Sequence, residues 1–131
     1  MGLEGRRIAI FDSHVGTPFI DYLTQLLHEQ KVTTVFARGL FPVPSIQLIT
    51  AHNAAIIHIP QNESDRIKFL KIFNTLKNSK FPFIIIASTT SEEEEALATR
   101  LQNEGFVVVD KVSNMNRWIE LLGTQLEKNK T

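Results

Sequence analysis

The stretch that decides the fold is NAAIIHIPQNES, which runs from Asn53 to Ser64. Ala54 to Ile57 form a continuous apolar run, and Pro60 stops strand pairing soon after it. An apolar run without alternation is typical of a strand that is covered on both faces, as in the middle of a parallel sheet. We therefore predict a central strand from about Ala54 to Ile59, which delivers His58 to the edge of a sheet.

Runs of the same kind recur on both sides of this stretch. The other strand candidates are Arg6 to Phe11, Lys31 to Ala37, Phe81 to Ser88 and Phe106 to Lys111. Apolar residues recur at helical spacing between these runs, although only a short helix fits between Ser45 and about Ala51. Five strands alternating with five helices predict an α/β fold with right-handed crossovers. We expect a flavodoxin-like, three-layer α/β/α domain whose five-stranded parallel sheet has the order 2-1-3-4-5.

Several residues carry signals for the ends and faces of the helices. Ser64 is predicted to cap the third helix, and Ser91 with Glu94 forms a capping-box pattern before the fourth. Gly105 is suited to end that fourth helix. The apolar positions expected to face the core are Ile67, Leu70, Phe73 and Leu76 in the third helix, and Met115, Trp118, Ile119, Leu122 and Leu126 in the last.

Length and composition limit the function classes. The chain has 131 residues, which suits a single domain over 1–131, with a linker or tag at 1–5 and a frayed tail at 128–131. Fourteen basic and fourteen acidic residues give a net charge of zero, so electrostatics favours neither nucleic acid nor a membrane surface as a partner. The absence of cysteine excludes disulfides and thiol catalysis.

Polar residues follow the strands at the edge where an open α/β sheet places its chemistry. The residues delivered there are Asp12, Ser13 and His14, then His58 and Gln61, then Ala87, Ser88, Thr89 and Thr90, and finally Asp110 and Lys111. Neighbouring strands lie about 4.8 Å apart, so Asp12 and His58 are expected to be close. Lys111 could pair with Asp12 in a structural ion pair, or Asp12, His14 and His58 could hold a divalent metal such as zinc.

The first and third strands carry the residues of a family resemblance. IAIFDSH resembles an apolar strand that ends in an acidic pair, with Asp12 kept and Ser13 in place of the second acid. NAAIIHIP resembles a strand of the form D-x-x-x-x-D, with Asn53 and His58 in place of the two aspartates. This layout resembles the CheY-like receiver domain of two-component signalling.

The last two strands extend the resemblance. PFIIIAST resembles the family's P-I-I-x-L-T strand, with Ala87 at the switch threonine and Ser88 beside it. VVVDKV keeps Lys111 and has Val112 where the family has proline. The resemblance implies a reaction that moves a phosphoryl group from a phosphohistidine to an aspartate with Mg²⁺, an ion that favours hard carboxylate oxygens.

The departures from the family pattern predict a degenerate receiver, or pseudo-receiver. We expect this domain to have no catalytic residues and no cofactor, and to bind Mg²⁺ weakly or not at all. The degenerate phosphorylation-site positions are Asp12, Ser13, His58, Ala87, Ser88 and Lys111, and Asp12 is the single weak candidate for a metal ligand. Two other functions stay open: a phosphocarrier-type transferase component that uses His58 or His14, and an atypical receiver still phosphorylated elsewhere, for example on Asp12.

The segment LEGRRIAIFD resembles the junction that follows the ATP-binding domain in BarA/GacS-type hybrid sensor histidine kinases. The resemblance implies a place in such a kinase, in the cytoplasm or in the cytoplasmic part of a membrane-anchored sensor. The expected partners are kinase or receiver domains of the same or a cognate protein, without nucleic acid or membrane contact by this domain. A homodimer through the last two helices and an apolar partner patch around Phe41 are further expectations.

Overall fold

A computed structural model of the protein describes residues 3–13, 18–88 and 91–128. Strands and helices alternate strictly along these ranges. They are β1 (Arg7–Phe11), α1 (Pro18–Glu29), β2 (Thr34–Arg38), α2 (Ile46–Thr50), β3 (Ala54–His58), α3 (Glu63–Asn78), β4 (Phe83–Ala87), α4 (Glu92–Asn103), β5 (Val108–Asp110) and α5 (Met115–Lys128). The predictions for His14, Thr89 and Thr90 lie outside the described residues.

The five strands form one parallel sheet in the order β2-β1-β3-β4-β5. This arrangement confirms the predicted fold class and strand order. All five residues of β3 are buried, as are all five of β4. The continuous apolar runs in the sequence therefore mark the strands that are covered on both faces.

Alternate strand residues point to opposite sides of the sheet and create two cores. One core, here the α1/α5 side, contains residues such as Ile10, Ile56 and Trp118. The other, here the α2/α3/α4 side, contains residues such as Phe11 and Phe73. Leu3, which lies in the segment expected to be a linker or tag, is 2% exposed and packs in the α1/α5 core.

The start of α3 differs from the sequence prediction. Asn62, and not Ser64, is the N-cap, because its extended backbone lets its side-chain oxygen accept a hydrogen bond from the Ser64 N–H at 2.9 Å. The prediction that Ile67 faces the core is also wrong, since its side chain is 55% exposed. A strict spacing of three residues drifts around a helix of 3.6 residues per turn. The buried residues of α3 are instead Phe69, Ile72, Phe73 and Leu76, together with Arg66 about one turn before them.

All five strands are shorter in the structure than predicted, and for two of them the reason lies in the turn before the strand. Lys31 has a φ of 62° and belongs to the turn after α1, so β2 begins only at Thr34. Phe106 donates its N–H to the Leu101 carbonyl and so completes the end of α4 instead of pairing in β5. The α4 signals are confirmed: the Glu94 N–H donates to Ser91 Oγ at 3.2 Å, and Gly105 has the positive φ of 94° that favours glycine.

Candidate functional site

Four polar residues lie at the carboxyl edge of the sheet on its α1/α5 side. Asp12 follows β1, His58 ends β3, Ser88 follows β4 and Lys111 follows β5. Each lies two positions beyond a strand residue of the α1/α5 core, namely Ile10, Ile56, Ile86 and Val109. The two-residue repeat of the strands therefore explains why these four residues share one side.

Asp12 and Lys111 form an ion pair within this cluster. The Asp12 side chain is fully buried, and its Oδ1 lies 3.8 Å from Nζ of Lys111, whose side chain is 20% exposed. The ammonium group also lies 5.0 Å from the ring centroid of Phe19 in α1. Because β3 and β4 separate β1 from β5, Lys111 reaches across the ends of the two central strands. The ion pair predicted between these residues is present, and it spans the ends of β3 and β4.

His58 is buried at the end of β3. Its side chain is 1% exposed, and its Nδ1 lies 3.4 Å from Oγ of the exposed Ser13. Phe11 pairs with Ile57, so Asp12 and His58 follow neighbouring strands at the same level, as the sequence predicts. The histidine thus occupies an enclosed position beside the Asp12–Lys111 pair.

The remaining residues of the resemblance take structural positions. Ala87 is 2% exposed and packs in the α2/α3/α4 core, while Ser88 is partly buried beside it. Asn53 lies at the opposite end of β3 from His58, where its Oδ1 accepts a hydrogen bond from the Arg7 N–H at 2.8 Å. Asp110 accepts a hydrogen bond from the Val112 N–H at 3.0 Å and so stabilises the turn after β5.

The donors around this cluster determine which metal it could hold. Among the residues that the structure describes, no group of three or more histidine, aspartate and glutamate side chains is placed to hold a metal ion. The zinc hypothesis also needs His14, which lies outside them. The carboxylate of Asp12 is paired with a cation, and the hydroxyl groups of Ser13 and Ser88 carry no charge. These donors fit Mg²⁺ poorly, because the ion favours one or two carboxylates in an octahedral oxygen shell.

Two features of this region were not predicted from the sequence. Phe19 of α1 lies with its ring beside the Lys111 ammonium group. Arg66 is buried with its Nε donating to the Pro60 carbonyl at 3.0 Å, which connects α3 to the loop after β3.

The segment before Pro42 and Pro44 is only partly exposed. Leu40 is buried, whereas Phe41 is 53% exposed and contacts Phe69 edge-on. Within residues 3–13, 18–88 and 91–128, every helix is too short or too polar to cross a bilayer.

Comparisons with known proteins bear on the fold. No family model and no curated protein matches the chain. The receiver domain of Francisella response regulator 1452 covers 95% of this chain with 98% of its own length, at a TM-score of 0.60 and 13% identity. A CheY-like response regulator receiver domain from Methanospirillum hungatei JF-1 covers 95% with 96% of its own length, at a TM-score of 0.60 and 18% identity.

A third solved structure covers more of the chain. It is a fusion protein that contains residues 181–211 of the yeast Spc42 trimeric coiled coil. It covers 99% of this chain with 85% of its own length, at a TM-score of 0.70 and 13% identity. At identities this low the similarity concerns the fold alone. The chain therefore has a receiver-like fold, with its polar cluster at the edge of the sheet described above.

Proposed function

We propose that the chain is a receiver-like regulatory and protein-interaction module of a two-component phosphorelay, and that it is not itself phosphorylated. The observation that carries this proposal is His58. The resemblance implies an acceptor aspartate at this position, but the side chain here is a buried histidine 3.4 Å from Ser13 Oγ. An acyl phosphate requires a carboxylate, and this position offers none.

The charges of the cluster support the same proposal. Asp12 contributes one negative charge, and the Lys111 ammonium group lies 3.8 Å from its Oδ1. The pair is therefore neutral overall. A site that binds Mg²⁺ beside a phosphoryl group requires more carboxylates than cations. We infer that Mg²⁺ binds weakly or not at all and that the module uses no cofactor. Ala87 lacks the hydroxyl group with which the resemblance implies a phosphoryl group would be sensed.

Burial disfavours the two alternatives among the described residues. A phosphocarrier must present a ring nitrogen to its donor, but His58 is 1% exposed. Phosphorylation of Asp12 must displace Lys111 from a carboxylate that is fully buried. We therefore place the function of the chain in its surfaces, through which it would contact kinase or receiver domains of the same or a cognate protein. The junction at residues 3–12 suggests a BarA/GacS-type hybrid sensor histidine kinase, in the cytoplasm, as the setting.

Amide NMR spectra test this proposal. Mg²⁺ is added first and beryllofluoride second, and in a parallel sample the intact mass is measured after incubation with acetyl phosphate. We expect no saturable shifts at residues 12, 58 and 111 and no mass gain, whereas an intact receiver treated in the same way serves as the positive control. Shifts clustered at those three residues, or a mass gain of one phosphoryl group, would overturn the proposal.

A further inference from the structure

A groove runs along the surface between α3 and α4, on the α2/α3/α4 side and away from the polar cluster. It has a volume of about 360 Å³. Its apolar lining comes from Ile67 and Leu70 of α3 and from Ala96 and Leu97 of α4. Ile67 is 55% exposed, which makes it one of the large apolar side chains that the domain itself leaves uncovered.

Arg66 connects the two walls of this groove. Its Nε donates to the Pro60 carbonyl, and its guanidinium Nη1 lies 3.8 Å from Oε1 of Glu93. The Arg66 side chain is 10% exposed and lines the groove, and it links the first turns of α3 and α4. Since Arg66 takes the inward direction, its neighbour Ile67 faces the surface. The exposed apolar side chain is therefore a fixed feature of α3.

The α4 wall has a symmetric pattern. Glu93, Ala96, Leu97 and Arg100 all line the groove, and they are placed symmetrically about the midpoint between Ala96 and Leu97. A two-fold axis across the helix at that midpoint would bring a second α4 alongside in the antiparallel direction. Glu93 of each copy would then lie opposite Arg100 of the other. The two apolar residues would lie opposite each other in the centre.

We propose that this groove is a contact surface between two copies of the chain, packed antiparallel along α4 with Ile67 and Leu70 of α3 at its rim. The charge pattern favours a second copy over an unrelated helix, because α4 supplies both halves of each charge pair itself. In the contact, Glu93 would share its charge with Arg66 and Arg100 would share its charge with Glu104, which are their partners within the chain. This surface shares α4 with the face of the last two helices that the sequence suggested, but it combines α4 with α3 instead of α5. The proposal does not depend on whether the polar cluster accepts a phosphoryl group. The groove is small, so the contact belongs to the weak, transient class of interfaces.

Variants of the full chain with reversed charges at positions 93 and 100 test the proposal. Sedimentation is followed from micromolar to millimolar concentration for wild type, Glu93→Arg and Arg100→Glu. We expect wild type to associate as concentration rises and each variant to associate about 10-fold more weakly, because two attractive contacts become repulsive in each dimer. An equal mixture of the two variants is expected to regain association, since both pairs of facing side chains at positions 93 and 100 then have opposite charges again.

Arg117→Glu on α5 is the matched control. Arg100 and Arg117 are 65% and 64% exposed, and each pairs with a glutamate of its own helix. Arg117→Glu should leave association unchanged. Because Glu93→Arg places a second cation near Arg66, amide spectra check its fold, and Ile67→Lys at an exposed position provides an independent weakening variant. A chain that stays monomeric, an equal loss in Arg117→Glu, or a folded mixture that fails to regain association would overturn the proposal.

Discussion

The two sides of the sheet are built differently. On the α1/α5 side, each helix buries four large apolar residues, and Trp118 is fully buried. On the α2/α3/α4 side, α3 is well anchored, but α4 buries only Ala98 and Leu101, and α2 buries only Ile49. The polar cluster lies on the first side and the exposed groove on the second.

The buried polar cluster and the exposed groove therefore lie in different packing environments. Asp12 and His58 are buried, and a buried polar group is stable only if it has partners. A helix with few buried contacts, such as α4, is expected to open locally at a lower free energy than α5. The comparison therefore places the buried polar cluster on the side whose helices bury more residues and the proposed contact surface on the other side.

The largest expected effect is on the rigid side. Trp118→Ala should lower the free energy of unfolding by about 3–5 kcal/mol, because it leaves a cavity in the α1/α5 core. It also removes the hydrogen bond that the indole Nε1 donates to Ser113 Oγ at 2.8 Å. Urea unfolding measures the change. Trp118→Phe keeps most of the buried ring and should cost less, and a loss below about 1 kcal/mol in Trp118→Ala would contradict this view of the core.

The next effect tests whether the polar cluster is structural. Lys111→Met should destabilise the domain by about 3 kcal/mol, the low end of the range for a broken buried pair, because it leaves the Asp12 carboxylate buried without its cation. The value is at the low end since Lys111 is partly exposed. Lys68→Met at an exposed position of α3 is the control and should change stability by less than about 0.5 kcal/mol. Equal stabilities of the two variants would show that the pair is not structural.

A smaller effect is expected where α4 begins. Ser91→Ala removes the oxygen that accepts the Glu94 N–H and should cost about 1 kcal/mol. Hydrogen exchange should show the loss of protection mainly within α4, while α5 keeps its protection. If α5 amides lose protection as much as α4 amides, the two sides respond as one unit and the comparison fails.

The smallest effect belongs to the groove. Ile67→Lys should leave the free energy of unfolding within about 0.5 kcal/mol of wild type, because this side chain is 55% exposed. Urea unfolding at low concentration measures it without any contribution from association. Phe69→Ala, two residues along the same helix but fully buried, should cost about 3–5 kcal/mol in the same measurement. Similar losses in both variants would mean that Ile67 belongs to the core.

Much of the fold could be predicted from the sequence. Uninterrupted apolar runs such as Phe83–Ala87 identify buried strands without reference to any long-range contact. The sheet order then brings Asp12, His58 and Lys111 to one edge, as expected from the general rule for open α/β sheets.

The errors concern choices that depend on tertiary contacts. Asn62 and Ser64 are both good capping residues, and the backbone path after β3 decides between them. Arg66 could be placed only with knowledge of the Pro60 carbonyl and Glu93 around it. The direction of Ile67 follows from that placement. Local pattern alone does not contain these contacts.

The central claim is that this receiver-like fold lacks the acceptor carboxylate that phosphorylation requires and lacks the second acid beside Asp12. Its most direct test is an Mg²⁺ titration of wild type and of the double variant that carries both Ser13→Asp and His58→Asp. Amide NMR and thermal unfolding monitor the titration. We expect saturable shifts around residues 12, 58 and 111, and a Tm that rises with Mg²⁺, in the double variant alone, because binding to the native state stabilises it. Saturable shifts at those residues in wild type, with a matching rise in Tm, would contradict the claim.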